Sequence, residues 1–182
     1  MPLLGAHQVE NAALALAAVN RLLGRPIEEA AARSAFRALR LFGRGMVLRD
    51  HPPMLLDGAI NAESARSTVD LARRLAGPGS IAVIAVPKPK DLAGVCREAA
   101  SIADRIIVTE VDTPTLTWYP DAGEIARAFC PSVARIPDFV AAVETAISEA
   151  GDDRGLLLLG TQSFVGAVLE YFQVDTCVIY DA

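Results

Sequence analysis

The stretch Asp57-Gly58-Ala59-Ile60-Asn61 combines residue types that suit the binding of a small polar ligand. It follows a short apolar run predicted to be a strand and leads into a predicted helix. Asp57 supplies a carboxylate at the strand end, Gly58 lets another group approach the backbone, and Asn61 is a favoured helix N-cap. Because helix N-termini attract anions, these residues fit a compact binding site. They also fit a capped tight turn that binds nothing.

Two further groups of polar residues lie upstream of this stretch. Phe42-Gly43-Arg44 places an arginine behind a glycine, and a guanidinium can bind phosphate through paired hydrogen bonds. His7 and Asn11 are four residues apart on a predicted helix and therefore share one face. Polar groups on this Ala- and Leu-rich helix would contact a nucleotide base or a neighbouring domain, or would form an exposed polar stripe.

Two loops further along the chain are candidates for binding anions. Lys88-Pro89-Lys90-Asp91 follows a predicted strand and would place two ammonium groups at the ligand-binding edge of a sheet, although a solvated loop is an equally good interpretation. Gly160-Thr161-Gln162-Ser163 follows another strand and opens a helix, where backbone N–H groups can hold an anion. The 182 residues contain no Gly-x-x-x-x-Gly-Lys-Ser/Thr phosphate loop. Nor does any spacing indicate a metal site or a catalytic triad.

Composition limits the class of protein. Of the 182 residues, 52% are hydrophobic and 21% are charged, which excludes a disordered chain and allows one domain of ordinary size. No apolar run reaches the roughly 18 residues of a membrane span, and the first residues lack the features of a secretory signal. A net charge of −5 argues against a nucleic-acid-binding surface. Three widely spaced cysteines, Cys96, Cys130 and Cys177, indicate reduced thiols in a cytoplasmic protein.

The elements that position these residues alternate between helices and strands. Helices are predicted at 5–23, 26–41, 61–75, 92–103, 121–129, 138–150 and 163–172. Strands are predicted at 45–49, 54–57, 81–86, 105–111, 133–136 and 155–159, with 175–180 as either an edge strand or a tail. Continuous apolar strands that alternate with helices favour a mostly parallel sheet covered on both faces. We therefore expect a three-layer α/β sandwich, in which the opening hairpin adds one antiparallel strand.

The two helices that precede the sheet have no strands of their own to cover. Residues 1–41 are therefore interpreted as the end of another domain, with residues 40–43 as the hinge. Residues 42–182 form the predicted α/β domain. In such sheets ligands gather at the carboxyl ends of the strands, and the loop motifs described above follow predicted strands.

Three motifs, in their order and spacing, resemble the folylpolyglutamate synthase/dihydrofolate synthase members of the Mur ligase family. They are Gly5-Ala6-His7-Gln8-Val9-Glu10-Asn11-Ala12-Ala13, Phe42-Gly43-Arg44 and Leu55-Leu56-Asp57-Gly58-Ala59-Ile60-Asn61. The corresponding family motifs are Gly-x-His-Gln-x-x-Asn-Ala, Pro-Gly-Arg and Leu-Asp-Gly-Ala-His-Asn. A weaker similarity continues through residues 88–91 and 160–166, so the resemblance spans nearly the whole chain.

The resemblance implies that residues 42–182 form a Rossmann-like Mur ligase C-terminal (glutamate ligase) domain, and that residues 1–41 are the terminal helices of a missing central ATPase domain. It also implies the reaction, in which ATP phosphorylates a folate carboxylate and the amino group of glutamate attacks the acyl phosphate. Glutamate, a folate and the ATPase domain are the implied partners. ATP and Mg²⁺ are the implied cofactors, with Mg²⁺ bound mainly by the missing domain. The chain alone is expected to be inactive.

The resemblance further implies roles for single residues. Asn11 would face the adenine of a nucleotide, and Arg44 its phosphates. Asp57 would lie on the ribose or phosphate side, and Asn61 belongs to the same loop. Arg44 and Asp57 are the expected catalytic residues, and an arginine together with a helix N-terminus would stabilise the charge that develops on a transferring phosphoryl group. The loops after later strands would hold glutamate, with the candidates Lys88, Lys90, Thr161 and Ser163.

Several residues differ from the family motifs. Ile60 stands in place of the family's histidine, Phe42 in place of proline, and Met46 where an acidic residue is usual. The arginine expected after Pro114 is absent. These differences keep two alternatives open: a Mur-type amide ligase with another acceptor, and a non-catalytic binding domain of the same fold.

Overall fold

The structure is a computed structural model that describes residues 6–177. Its helices are α1 (Ala6–Leu23), α2 (Glu29–Ala38), α3 (Ala62–Leu75), α4 (Leu92–Ala99), α5 (Ala122–Arg127), α6 (Phe139–Ala150) and α7 (Gln162–Tyr171). Its strands are β1 (Met46–Asp50), β2 (Pro53–Asp57), β3 (Ser80–Ala85), β4 (Ala103–Glu110), β5 (Val133–Asp138) and β6 (Leu156–Gly160). These strands form one sheet in the order β1-β2-β6-β3-β4-β5, in which β1 and β2 are antiparallel and the other neighbours parallel. The predicted three-layer α/β fold with one antiparallel strand is confirmed.

The core lies on both faces of the sheet because the central strands are continuous runs of small or apolar residues. Strands β3 and β6 are buried along their whole length. In β6, Leu157 and Leu159 belong to a cluster with α3, α4 and α5, whereas Leu156 and Leu158 belong to a second cluster with α6 and α7. Burial of each such leucine is worth roughly 1.5–3 kcal/mol. Alternate side chains of this one strand thus pack against the helices on both faces of the sheet.

The sheet has a topological switch point between β2 and β6. These parallel neighbours are followed by helices on opposite faces: Ala65 and Val69 of α3 belong to the first cluster, and Val165 and Val168 of α7 to the second. The chain therefore diverges beyond the carboxyl ends of the two strands. Open α/β sheets place their ligands in the crevice that such a divergence leaves.

The opening helices lie outside this core. Among the described residues, none from α1 or α2 belongs to either apolar cluster, and α2 has no buried residue. Apolar side chains of α1 are exposed, with Leu14 at 70% and Leu22 at 85%. Gln8, near the start of α1, is buried. Within residues 6–177 no helix, α1 included, has the length and apolar character required to cross a bilayer.

The second helix is shorter than the sequence predicts. It begins at Glu29 rather than at 26, and it ends at Ala38 rather than at 41. Glu28 has a non-helical backbone, with ψ at 132°, and Ile27 N donates a hydrogen bond of 2.8 Å to Asn20 Oδ1. A side chain of α1 therefore holds the connection in a conformation that a helical turn cannot adopt.

Boundaries later in the chain also differ from the prediction: α5 ends at Arg127 rather than at 129, and β5 extends to Asp138 rather than to 136. The helix predicted at 92–103 ends at Ala99, because the following bonds, from Ser101 N to Glu98 O and from Ile102 N to Ala99 O, close a tighter turn and the chain enters β4 at Ala103. Residues 178–180 of the segment predicted as an edge strand or tail lie outside the described residues. Residues 175–177 of that segment are not in a strand.

Candidate functional site

A cleft of about 450 Å³ opens at the carboxyl end of β2, beside the first turns of α1 and α3. It brings together four residues that the sequence singled out. These are Asn11, Arg44, Asp57 and Asn61. The other lining residues are Gln8, Glu10, Gly58, Ile60, Glu63, Ser64 and Ser67. Residues from three separate sequence motifs therefore meet on one surface, at the switch point of the sheet.

Asp57 ends β2 and is buried, with 6% of its surface exposed. Its Oδ2 accepts a hydrogen bond of 2.6 Å from Gly45 N, and Gly58 N donates to Gly43 O at 2.8 Å. A buried carboxylate is costly unless it is hydrogen-bonded, and the Gly45 N–H meets that need. The two bonds fasten the turn before β1 to the loop after β2, so Asp57 organises the cleft as well as lining it.

Arg44 lies between two glycines with left-handed backbone, Gly43 at φ +65° and Gly45 at φ +60°. Residues with a Cβ rarely adopt this conformation. A Cβ at Gly43 would also lie 2.5 Å from Cγ1 of Val165 on α7. The glycines therefore let the turn pack closely on α7 and fix the backbone from which the Arg44 side chain extends.

Gln162, the first residue of α7, contacts the Arg44 side chain. With its amide oxygen facing the guanidinium, Gln162 Oε1 accepts hydrogen bonds from Arg44 Nη1 at 3.0 Å and from Nη2 at 3.3 Å. Both side chains lie over Gly58, where a Cβ would clash with Arg44 Nη1 and would lie 2.6 Å from the Gln162 amide. The glycine in this loop thus makes room for two protein side chains.

Asn61 is the N-cap of α3 and forms a capping box with Ser64. Asn61 Oδ1 accepts hydrogen bonds from Ser64 N at 2.9 Å and from Ser64 Oγ at 2.8 Å. Ser64 Oγ in turn accepts from Asn61 N at 3.2 Å. The capped-turn interpretation therefore accounts for the side-chain oxygen of Asn61, and its amide nitrogen is the group that the cap leaves for a ligand.

Ile60 is half-buried and lines the cleft. Its N–H donates to Ser64 Oγ at 3.1 Å, and its carbonyl accepts from Asp91 N at 3.1 Å. These main-chain bonds fix the course of the loop independently of the Ile60 side chain. The isoleucine therefore adds an apolar patch to the cleft at the position where the family motif carries an imidazole.

The charged residues of the cleft are one arginine and three acids: Arg44, Glu10, Asp57 and Glu63. One guanidinium does not neutralise a triphosphate, so a nucleotide here would need further cations from outside these residues. Carboxylates suit ribose hydroxyls, which donate hydrogen bonds. Among residues 6–177 no three His, Cys, Asp or Glu side chains come close enough to hold a metal ion. The described residues therefore provide no cage of protein ligands for Mg²⁺.

The two candidate lysines do not line this cleft. Lys88 Nζ lies 5.4 Å from the ring centroid of Tyr119, within the range of a cation–π interaction. Tyr119 Oη donates to Lys90 O at 2.8 Å, and Lys88 N donates to Thr117 O at 2.8 Å. The loop after β3 is thus fastened to the segment that follows β4, and both lysines are exposed.

The candidates after β6 also lie elsewhere. Thr161 is the N-cap of α7, and its hydroxyl accepts a hydrogen bond of 3.4 Å from Phe164 N. Ser163 lines a second cleft, of about 540 Å³, together with the acids Glu110 and Asp138. Gln162, between these two residues, is the member of the motif whose side chain reaches the first cleft by way of Arg44. The motif was recognisable in the sequence, but it predicted no role for Gln162.

The fold and the position of the cleft define the class: a Rossmann-like three-layer α/β domain with a polar cleft at the switch point of its sheet. Residues 43–162 match the family model described as the Mur ligase, glutamate ligase domain. The chain belongs to this family. The resemblance predicted from the sequence motifs is thereby confirmed.

Two related proteins are dihydrofolate synthase/folylpolyglutamate synthases. The protein from Bacillus subtilis is 26% identical over 170 residues, which are 91% of this chain and 39% of that protein. The protein from Mycobacterium tuberculosis is 31% identical over 119 residues, which are 63% of this chain and 24% of that protein. The chain therefore corresponds to well under half the length of either relative.

Solved structures of folylpolyglutamate synthases are similar to this chain in fold. Folylpolyglutamate synthase from Mycobacterium tuberculosis, complexed with ADP and AMPPCP, superposes with a TM-score of 0.84 at 25% identity, over 96% of this chain and 42% of that chain. The folylpolyglutamate synthase from Thermotoga maritima gives a TM-score of 0.70 at 26% identity, over 93% of this chain and 39% of that chain. The similarity includes α1 and α2 as well as the sheet domain, because it covers nearly the whole chain.

Proposed function

We propose that this chain is the glutamate ligase part of an ATP-dependent ligase that joins glutamate to a folate carboxylate through an acyl phosphate. The observation that carries the proposal is the meeting of Asn11, Arg44 and Asp57, from three family motifs, at one cleft beside a helix N-terminus. The names of the two relatives support a folate as the acceptor. The ADP and AMPPCP bound to the Mycobacterium tuberculosis enzyme support a nucleotide as the ligand.

In this proposal each residue of the cleft acts on one part of ATP. Arg44 binds phosphate oxygens and stabilises the charge that develops on the transferring phosphoryl group. Asp57 lies on the ribose or phosphate side, and Asn11 faces the adenine from α1. Asn61 donates from its amide nitrogen, since its oxygen caps α3. The N-terminus of α3 adds its favourable potential for an anion.

We assign glutamate to the loops after β3 and β6. These strands are parallel neighbours, so their carboxyl ends lie at one edge of the sheet. Lys88 and Lys90 would attract the carboxylates of glutamate, and Thr161 and Ser163 would donate hydrogen bonds to them. Lys88 would keep its contact with Tyr119 in that role, because a cation over an aromatic face retains its charge.

We further propose that residues 1–41 belong to a central ATPase domain and that this domain supplies the phosphate loop and the Mg²⁺ site. The exposed leucines of α1 support the assignment, since a helix with an uncovered apolar face is suited to packing against another domain. The 182 residues contain no Walker-type phosphate loop, so the chain alone is expected to bind ATP weakly and not to hydrolyse it.

Titration of the chain with ATP, with binding measured by isothermal titration calorimetry, tests the proposal. Arg44→Ala and Asp57→Asn are each expected to lower the affinity at least about 10-fold, equivalent to about 1.4 kcal/mol. Asp57→Asn keeps an oxygen that can accept from Gly45 N, so the loop geometry is retained. Arg97→Ala, at an exposed position on α4, is the control and is expected to bind ATP normally. Parental affinity in both cleft variants would contradict the proposal.

Ile60 favours a second candidate function, a Mur-type amide ligase with another acceptor. The half-buried isoleucine makes the cleft more apolar at a position where the family motif has a hydrogen-bonding imidazole. A longer protein that carries this domain separates the two candidates. Phosphate release that depends on a folate and glutamate supports the first, whereas release that depends on a different carboxylic acid supports the second.

A further inference from the structure

The hydrogen bonds between Arg44 and Gln162 join the turn before β1 to the start of α7, beside the switch point of the sheet. Arg44 belongs to the turn before β1, and Gln162 begins α7, which leaves the neighbouring strand β6. The backbone of that turn is fixed by Gly43 and Gly45, with left-handed φ angles, and by the contact with Val165. The Gln162 amide fixes the other end of the arginine. The guanidinium is therefore held from both ends, over Gly58.

The partner of Arg44 differs in charge from the partners of Arg66 and Arg105. Arg66 pairs with Glu98, and Arg105 with Glu149, both at 2.9 Å. In each of these pairs a carboxylate cancels the positive charge. Gln162 orients the Arg44 guanidinium through two acceptor contacts of one neutral oxygen, so the charge remains. A guanidinium has five N–H donors, and this contact uses two of them.

We infer that Gln162 is a positioning residue, which fixes the Arg44 guanidinium at the cleft without pairing it with a carboxylate, so that its positive charge can meet a phosphate-class anion. The inference rests on the proposed function, in which that anion is a phosphate of ATP. It extends that function to a residue outside the three matched motifs. Preorganisation of this kind strengthens binding because the arginine need not lose side-chain freedom when the ligand arrives.

Two substitutions separate orientation from charge. Gln162→Leu removes the acceptor and is expected to release the guanidinium. Gln162→Glu keeps an acceptor at the same distance but pairs Arg44 with a carboxylate, so it is expected to hold the side chain while cancelling its charge. Gln173→Glu is the matched control, because it adds the same charge at an exposed position just after α7.

The first measurement is the heteronuclear NOE of the Arg44 Nε–Hε group, recorded by NMR on the ligand-free chain. The parent, Gln162→Glu and Gln173→Glu are expected to give a high value, typical of an ordered side chain. Gln162→Leu is expected to give a clearly lower one. An equally ordered Arg44 in Gln162→Leu would overturn the inference, whether or not the chain binds ATP.

The second measurement combines ATP affinity with the melting temperature. Gln162→Glu is expected to lower ATP affinity at least about 5-fold while its melting temperature stays equal or rises, since it gains an ion pair. If Gln162 had a purely structural role, the substitution would not lower ATP affinity while leaving the melting temperature equal or higher. Gln162→Leu is expected to lose affinity as well, and Gln173→Glu to change neither quantity.

The outcomes distinguish the inference from the proposed function. If the parent binds ATP and both Gln162 variants bind it equally well, Gln162 does not position Arg44 for an anion, and the proposed function stands. If the parent does not bind ATP but Arg44 loses order in Gln162→Leu, the nucleotide assignment fails while the positioning of Arg44 holds.

Discussion

Arg44, Asp57 and Asn61 line one cleft, but their hydrogen bonds give them different freedom to meet a ligand. Asp57 uses one carboxylate oxygen to hold Gly45 N, and Asn61 uses its amide oxygen to cap α3. Arg44 is oriented by a neutral partner, Gln162. Arg44 is the cation among the three, and its contact with Gln162 uses two of its five N–H donors, which is why the proposal gives it the contact with phosphate.

The residues of the cleft differ in how far the sequence could reveal them. Arg44, Asp57 and Asn11 stand in motifs whose order and spacing are informative on their own. Gln162 has no such signal, because its contact with Arg44 depends on β6 lying next to β2, and strand order is set by long-range packing. The sequence likewise indicated that Gly58 admits a close approach, but not that two side chains occupy the space.

Substitution of Ile60 by histidine tests whether the apolar patch is part of the core or part of the cleft. The side chain is half-buried and the main chain is bonded to Ser64 and Asp91, so an imidazole can reach water without moving the loop. We expect Ile60→His to change the free energy of unfolding by less than about 1 kcal/mol and to preserve or raise ATP affinity. A lower melting temperature together with unchanged or weaker ATP binding would show that isoleucine has become a core residue.

At the scale of elements, α3 connects the cleft to the core. Its first residues line the cleft, and Ala65, Val69 and Ala72 pack in the first apolar cluster. The capping box therefore stabilises the helix and also fixes the wall of the site. This explains why the sequence supported two interpretations of Asn61: the same residue caps the helix and faces the proposed ligand.

Two substitutions of Asn61 separate these roles. Asn61→Ala removes the cap and is expected to cost about 1 kcal/mol of stability, or about 2–4 °C in melting temperature for a chain of this size. Asn61→Asp keeps an N-cap acceptor, so its melting temperature is expected to stay close to that of the parent. The added negative charge should nevertheless weaken ATP binding if the cleft holds phosphate. Equal melting temperatures for Asn61→Ala and the parent would contradict the importance of the cap.

The central elements could be predicted because their signals are local. Strands β3 and β6 are continuous apolar runs, and helices alternate with them, so type and order were recognisable. The start of α2 was missed because its connection is held by the tertiary hydrogen bond between Ile27 N and Asn20 Oδ1. There, a contact with the preceding helix decided the boundary against the local sequence pattern.

At the scale of the whole molecule, the thiols report on the integrity of the core. Cys96 and Cys130 are buried, and Cys177 is exposed. Burial, assisted by the nearby Cys130, raises the pKa of the Cys96 thiol to about 12. We expect one fast-reacting thiol with an aromatic disulfide reagent at pH 8, and reaction of the two buried thiols only on unfolding. Three equally fast thiols would contradict the packed core.

The raised pKa of Cys96 also has a consequence for stability in alkali. The unfolded thiol ionises near its ordinary pKa of about 8.5, whereas the folded thiol stays protonated. The stability that comes from burying the protonated Cys96 thiol is therefore complete below that value, and it is lost as the pH rises toward the folded pKa of about 12. Urea titrations of the parent and of Cys96→Ala at increasing pH check this, since the variant should lose stability less steeply in alkali.

In the proposed function the cleft at the switch point, and not another surface of the chain, binds the phosphates of a nucleotide. The test is a titration of the isotopically labelled chain with ATP in which changes of amide chemical shifts are measured by NMR. This measurement detects even weak binding and locates it on the chain. We expect the largest shifts at Arg44, Gly58, Asn61 and Gln162. Shifts clustered instead around Glu110 and Asp138 of the second cleft, or no shifts at millimolar ATP, would contradict the claim.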